Sequence, residues 1–134
     1  MAKIISITNQ KGGVGKTTTA INLSASLSAM EKKVLLIDID PQANATSGLN
    51  MRIKENEISI YDFFLGEAVL KDMIKQSELE YFYLIPSENN LAAAEVEIAD
   101  SADREFILKK ALEDVSSDFD YIIIDCPPTL GFLI

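Results

Sequence analysis

Three short runs of the sequence are apolar at almost every position: Ile4-Ile5-Ser6-Ile7, Val34-Leu35-Leu36-Ile37 and Tyr121-Ile122-Ile123-Ile124. A strand with one wet face alternates apolar and polar residues. Nearly continuous, β-branched-rich runs instead predict strands covered on both faces, as in a parallel sheet. Between the first two, Ala20, Leu23, Leu27 and Met30 recur at the spacing of one helical face, which predicts a helix from about Lys16 to Met30. Strand, helix and strand in that order form a βαβ unit with a right-handed crossover. Further on, Ser59 and Asp62 suit the cap of a short helix through Phe63 and Phe64, closed by Gly66. Tyr81 to Ile85 reads as a strand stopped by Pro86, and Leu91 to Ala99 as a helix. A last helix starts after Ser101, with Asp103 and Glu105 near its N-terminus and Ile107 or Leu108, Ala111, Leu112 and Val115 as its core face. No repeat, linker or low-complexity segment interrupts the pattern. The expected fold class is α/β, a parallel sheet flanked by helices, in a single domain over residues 1–134.

Composition narrows the setting. At 134 residues, with 48% hydrophobic and 25% charged positions, the chain suits one globular unit with a real core. No stretch approaches the roughly 20 apolar residues that cross a bilayer. The opening run is also too short for a signal peptide, so a cytoplasmic location without membrane contact is expected. The single cysteine, Cys126, excludes an internal disulfide and agrees with a reducing compartment. Twelve basic residues against 21 acidic ones give a net charge of −9, unfavourable for non-specific attraction to DNA or to anionic lipid. The two arginines, Arg52 and Arg104, form no basic patch. With no histidine, acid–base or metal chemistry falls to carboxylates, hydroxyls, lysines or bound water.

The first strand runs into Asn9-Gln10-Lys11-Gly12-Gly13-Val14-Gly15-Lys16-Thr17-Thr18, where the helix begins. Glycines let successive backbone N–H groups turn towards one oxyanion, and the helix N-terminus adds partial positive charge at the same point. Residues Gly12, Gly13, Val14, Gly15, Lys16, Thr17 and Thr18 are therefore the expected phosphate cradle. Lys16 reaches the β- and γ-phosphates, and the Thr17 hydroxyl is available to Mg²⁺. On residue chemistry alone, Lys11 reads as a solvated loop lysine.

Carboxylates end two of the strands. Asp125 follows four apolar strand residues, the Walker B arrangement, and is the expected Mg²⁺ holder, usually through a coordinated water. Asp38 and Asp40 end the second strand, facing the crevice where open α/β sheets bind ligands. Asp40 is the candidate for positioning the attacking water, with Lys16 compensating charge. Asp38 is a candidate support of the metal shell or of the switch conformation. Both acids have an alternative reading as local caps of the following loop. Cys126 stands alone, where a cluster needs several converging thiolates, so it reads as a small buried residue.

Gln10 replaces the first glycine of the common phosphate loop and Lys11 precedes the glycine pair. The loop thus resembles the deviant Walker A motif, K-G-G-x-G-K-[ST]-T, of a family of dimeric ATPases. Together with Asp38-Ile-Asp40-Pro-Gln-Ala-Asn44-Ala-Thr-Ser47, Ile85-Pro-Ser with Leu91-Ala-Ala-Ala-Glu95, and Asp125-Cys-Pro-Pro, it is similar to the ParA/Soj partition ATPases along the whole chain. The resemblance implies a P-loop ATPase using ATP and Mg²⁺, in which ATP joins two subunits face to face. It implies that Lys11 reaches the partner's nucleotide, with Gly12 at the close approach of the subunits. It also implies non-specific DNA binding, nucleoid association and stimulation by a ParB-type partner.

Two other classes share the loop: a MinD-like membrane-positioning ATPase, which needs a C-terminal amphipathic helix, and a small-molecule kinase or ligase. An inactive truncated fragment is the remaining alternative. Family members are longer, so the expectation is a domain truncated on its C-terminal side. The adenine-contacting loop and the basic DNA surface would then lie beyond Ile134. The same resemblance sets the first strand beside the Walker B strand and leaves its other edge exposed.

Overall fold

The second apolar run forms strand β2, Val34–Asp38, and every residue in it is buried. Its side chains alternate between two hydrophobic clusters, which is why the run contains no polar position before its end. Val34 and Leu36 join one cluster, with Ala20, Phe82, Leu84 and Ile123. Leu35 and Ile37 join the other, with Phe63, Leu70, Leu108, Leu112, Ile122 and Ile124. A sheet buried on both faces and covered by helices on each is the arrangement the continuous runs predict.

The computed structural model describes residues 2–7, 14–40, 43–51, 57–58, 60–87 and 101–126. Its strands are β1, Lys3–Ile7, β2, β3, Lys75–Gln76, β4, Phe82–Ile85, and β5, Tyr121–Asp125, in the spatial order β1-β5-β2-β4-β3. β1, β5, β2 and β4 are mutually parallel, and only the two-residue β3 runs antiparallel, against β4. Helix α1, Val14–Ala29, and the five-residue α2, Asn44–Gly48, lie on the face of Val34 and Leu36. Helices α3, Ile60–Phe64, and α4, Ser101–Val115, lie on the other face with the 3₁₀ turn at Leu70–Met73.

Local chemistry explains the element ends. Past α1, Lys32 N–H bonds Leu27 O at 3.1 Å and Glu31 N–H bonds Ser28 O at 3.0 Å, with Glu31 at φ 61°. That is a Schellman cap built on a non-glycine residue. Gly66, at φ 81°, plays the left-handed role just beyond α3. Gly48 has a different use: a Cβ there would come within 3.0 Å of Ile21 Cδ1, so its bare backbone lets α2 lie on α1.

The expected core face of α4 is observed, with Leu108, Leu112 and Val115 buried and Ile107 and Ala111 packed beside them. Cys126 is buried, as expected of a small apolar residue. Two expectations change. Met30 falls past the last turn of α1 and is 66% exposed, because the helix has already closed at its cap. β1 is not covered on both faces: Ile5 and Ile7 pack towards α1, but Ile4, on the opposite face, is 49% exposed. Among the described residues β1 pairs only with β5, so it is an edge strand beside the Walker B strand. The expected helix over 91–99 and the cap at Ser59 lie outside the described residues.

Candidate functional site

Parallel pairing brings the carboxyl ends of β1, β5 and β2 to one end of the sheet. Ile7 sits opposite Asp125, and Asp125 opposite Asp38, so three consecutive strands finish in line. The alignment continues one residue further, where Cys126 N–H donates to Ile7 O at 3.0 Å and Ile39 N–H to Asp125 O at 3.1 Å. Successive side chains alternate across a sheet, so Asp38 shares the face of Val34 and Leu36, and Asp125 that of Ile123. This is the α1 face. There the Thr17 hydroxyl, one turn into α1, lies 3.4 Å from Asp125 Oδ2.

The first turn of α1 and the end of β5 therefore place a hydroxyl and a wholly buried carboxylate together. Both are hard oxygen donors of the kind Mg²⁺ accepts beside phosphate oxygens and waters. Among the described residues no group of three or more acidic or thiol side chains is gathered to hold a metal. This donor set fits an ion that takes much of its coordination from a nucleotide. Thr18 and Gly15 are exposed at the start of α1. Lys11, Gly12 and Gly13 lie outside the described residues, as do the side chains of Val14 and Lys16.

Asp38 accepts three hydrogen bonds. Its Oδ2 accepts from the Thr46 hydroxyl at 2.7 Å and the Thr46 N–H at 2.9 Å, and its Oδ1 accepts from the Asp40 N–H at 3.1 Å. These are the bonds of a carboxylate capping the loop that follows its strand, the alternative the sequence left open. Burial pushes the Asp38 carboxyl up to about 7, helped by the neighbouring charge of Asp125 and opposed by the bonds from Thr46 and Asp40. Asp40 is also buried, in the loop between β2 and α2.

Two residues of this end of the sheet escaped sequence reasoning. Thr46, in α2, and Ser87, just past β4, are both buried. The Ser87 N–H donates to Thr46 Oγ1 at 2.9 Å, and the Ser87 hydroxyl donates to Asp40 O at 2.7 Å. Their only signal is that each stands in a segment carrying the ParA/Soj resemblance. No spacing rule links a threonine eight positions after an acid to a serine 41 positions later.

The AAA domain family matches residues 2–134, nearly the whole chain. The chain belongs to this family. The AAA domain is 53% identical over 133 residues to the sporulation initiation inhibitor protein Soj of Bacillus subtilis, covering 99% of this chain and 53% of Soj. It is 47% identical to the chromosome partitioning protein ParA of Myxococcus xanthus, covering 99% of this chain and 47% of ParA. The ParA/Soj resemblance is thus borne out, and the chain spans about half the length of these relatives.

Among solved structures, cobyrinic acid a,c-diamide synthase from Mycobacterium smegmatis with bound ATP analog and magnesium superposes with a TM-score of 0.89. It is 38% identical, with 99% of this chain and 54% of the synthase covered. The McdA–ATP complex of Cyanothece gives a TM-score of 0.88 at 34% identity, covering 96% of this chain and 49% of McdA. The fold is that of the P-loop ATPases.

Proposed function

We propose that this AAA domain binds and hydrolyses ATP with Mg²⁺ as part of a partition protein. It would serve chromosome or plasmid segregation and act as an ATP-dependent homodimer switch. The observation that carries the reading is the approach of Thr17 to Asp125 where β1 gives way to the glycine-rich segment and α1. The printed names of the relatives, Soj and ParA, support the biological role. Non-specific DNA and a ParB-type activator are the corresponding partners of the whole protein, and a cytoplasmic, nucleoid-associated location follows from them.

Each residue has a distinct task. Backbone amides of residues 12–18 surround the phosphates, and Lys16 compensates their charge. Thr17 and Asp125 would hold Mg²⁺. When bound, the ion draws charge from the phosphate oxygens. Asp40 orients the attacking water, since phosphoryl transfer depends chiefly on alignment and charge neutralisation. Lys11 supplies its charge to the nucleotide of the partner subunit. Asp38 holds the loop that carries Asp40.

Calorimetry and turnover on the full-length protein test this reading. Lys16→Ala is expected to weaken MgATP binding at least about tenfold, the worth of one charge-assisted hydrogen bond. Asp40→Ala is expected to bind ATP and dimerise normally while hydrolysing it at least about a hundredfold more slowly. Magnesium-independent ATP binding, or normal turnover by Asp40→Ala, would contradict the assignment.

A further inference from the structure

The peptide groups of Asp40 are held from both sides. Its N–H donates to Asp38 Oδ1 at 3.1 Å. Its C=O accepts from the Ser87 hydroxyl at 2.7 Å and from the Ala43 N–H at 2.8 Å. The bonds close into a ring, because Ser87 N–H donates to Thr46 Oγ1 at 2.9 Å and that hydroxyl donates its proton to Asp38 Oδ2 at 2.7 Å. A backbone N–H can only donate, so Ser87 takes a lone pair of Thr46 Oγ1 and leaves that hydroxyl's hydrogen for Asp38. Every donor in the ring therefore has one direction.

Asp38, Asp40, Thr46 and Ser87 are each at most 5% exposed, so water does not offer a ready substitute for a lost member. The ring also joins three separate segments: the end of β2, the helix α2 and the stretch just past β4. α2 is itself seated on α1 through the bare Gly48. Ala43, between Asp40 and α2, holds a left-handed backbone at φ 54°, which is costly for a residue with a Cβ. Such a turn persists only where its surroundings impose it, and the ring is what flanks it on both sides.

We infer that Thr46 and Ser87 are positioning residues for ATP hydrolysis, fixing the main chain of Asp40 so that its carboxylate meets the attacking water. This rests on the reading that Asp40 orients that water. Neither residue lies on the phosphate loop, so loosening the ring lowers the rate of the chemical step and leaves nucleotide affinity alone.

Single-turnover hydrolysis and MgATP calorimetry on the full-length protein test the inference with four variants, each checked for folding by circular dichroism. Ser87→Ala removes only the bond to Asp40 O, and Thr46→Val breaks the ring while keeping its volume. Each is expected to lower the hydrolysis rate about tenfold with the MgATP Kd within about twofold. Thr46→Ser, which keeps the hydroxyl, restores the rate. Adding Ser87→Ala to Asp40→Ala costs nothing further, because both act through one carboxylate.

A wild-type rate in either Ser87→Ala or a folded Thr46→Val overturns the inference, as does a rate loss matched by an equal loss of affinity. If Thr46→Val does not fold, Ser87→Ala alone decides. Slow Asp40→Ala with an unaffected Ser87→Ala refutes only the ring. Normal turnover in Asp40→Ala removes the Asp40 assignment itself and the ring's role with it.

Discussion

Asp38 and Asp125 occupy paired positions on neighbouring strands, both fully buried, and they fare differently. Asp125 meets the Thr17 hydroxyl 108 positions away, while Asp38 is enclosed by donors from its own loop. The raised carboxyl of Asp38 has a thermodynamic consequence. An acid whose folded pKa exceeds its unfolded value favours the fold in its protonated form. That advantage is whole below the ordinary value of 3.8 and is lost as pH rises through about 7. In nucleotide-free, magnesium-free protein the loss is expected to reach at most about 4 kcal/mol. Denaturant unfolding of wild type and Asp38→Asn at pH 4 and pH 7.5 measures it. The wild type should lose more stability across that window than the variant, and equal losses would show that Asp38 charges freely. Asp125 was legible from four apolar residues followed by an acid. Thr46 and Ser87 were not, because a hydroxyl's partner is set by where two distant segments meet.

At the scale of elements, a visible apolar run or a cap or turn signal decided what the sequence could reveal. α1, α4 and the strands β2 and β5 have enough residues for a period to show, and each was read from its apolar positions. α2 and β3 have five and two residues, too few for a period, and exist because tertiary neighbours hold them. α2 rests on α1 and offers Thr46 to Asp38. β3 pairs with β4, and its Lys75 forms an ion pair with Glu57. The end of α1 was placed at Met30 by spacing, but backbone geometry closes it one residue earlier. Glu31 pays there for a left-handed conformation and sets a negative charge at a helix C-terminus. Glu31→Gly is expected to stabilise the protein by up to about 1 kcal/mol, since relief of strain outweighs glycine's added freedom in the unfolded chain. A thermal melt checks this, and a lowered midpoint would mean that the cap is not strained.

For the molecule as a whole, the sheet order among the described residues leaves β1 at an edge, with Ile4 half exposed and β5 on its other side. An apolar strand with unpaired backbone groups is a template for association with another chain. We expect the 134-residue chain, expressed alone, to be poorly stable, prone to self-association and weak in ATP hydrolysis. Light scattering and calorimetry check this. A monodisperse sample with a cooperative transition and ordinary turnover would refute it. The net charge of −9 is unfavourable for non-specific attraction to nucleic acid.

Local sequence alone determined the four parallel strands, the long helices and the chemistry on offer, because those depend on the run of apolar residues and on glycines, lysine and threonine at a helix start. It also determined that an acid would end each of two buried strands. Tertiary structure decided which acid faces Thr17 and which is consumed by its own loop, since that depends on strand order and register rather than on residue type. It decided too that Asp40 would be gripped through Thr46 and Ser87, a ring that exists only where β2, α2 and the end of β4 converge.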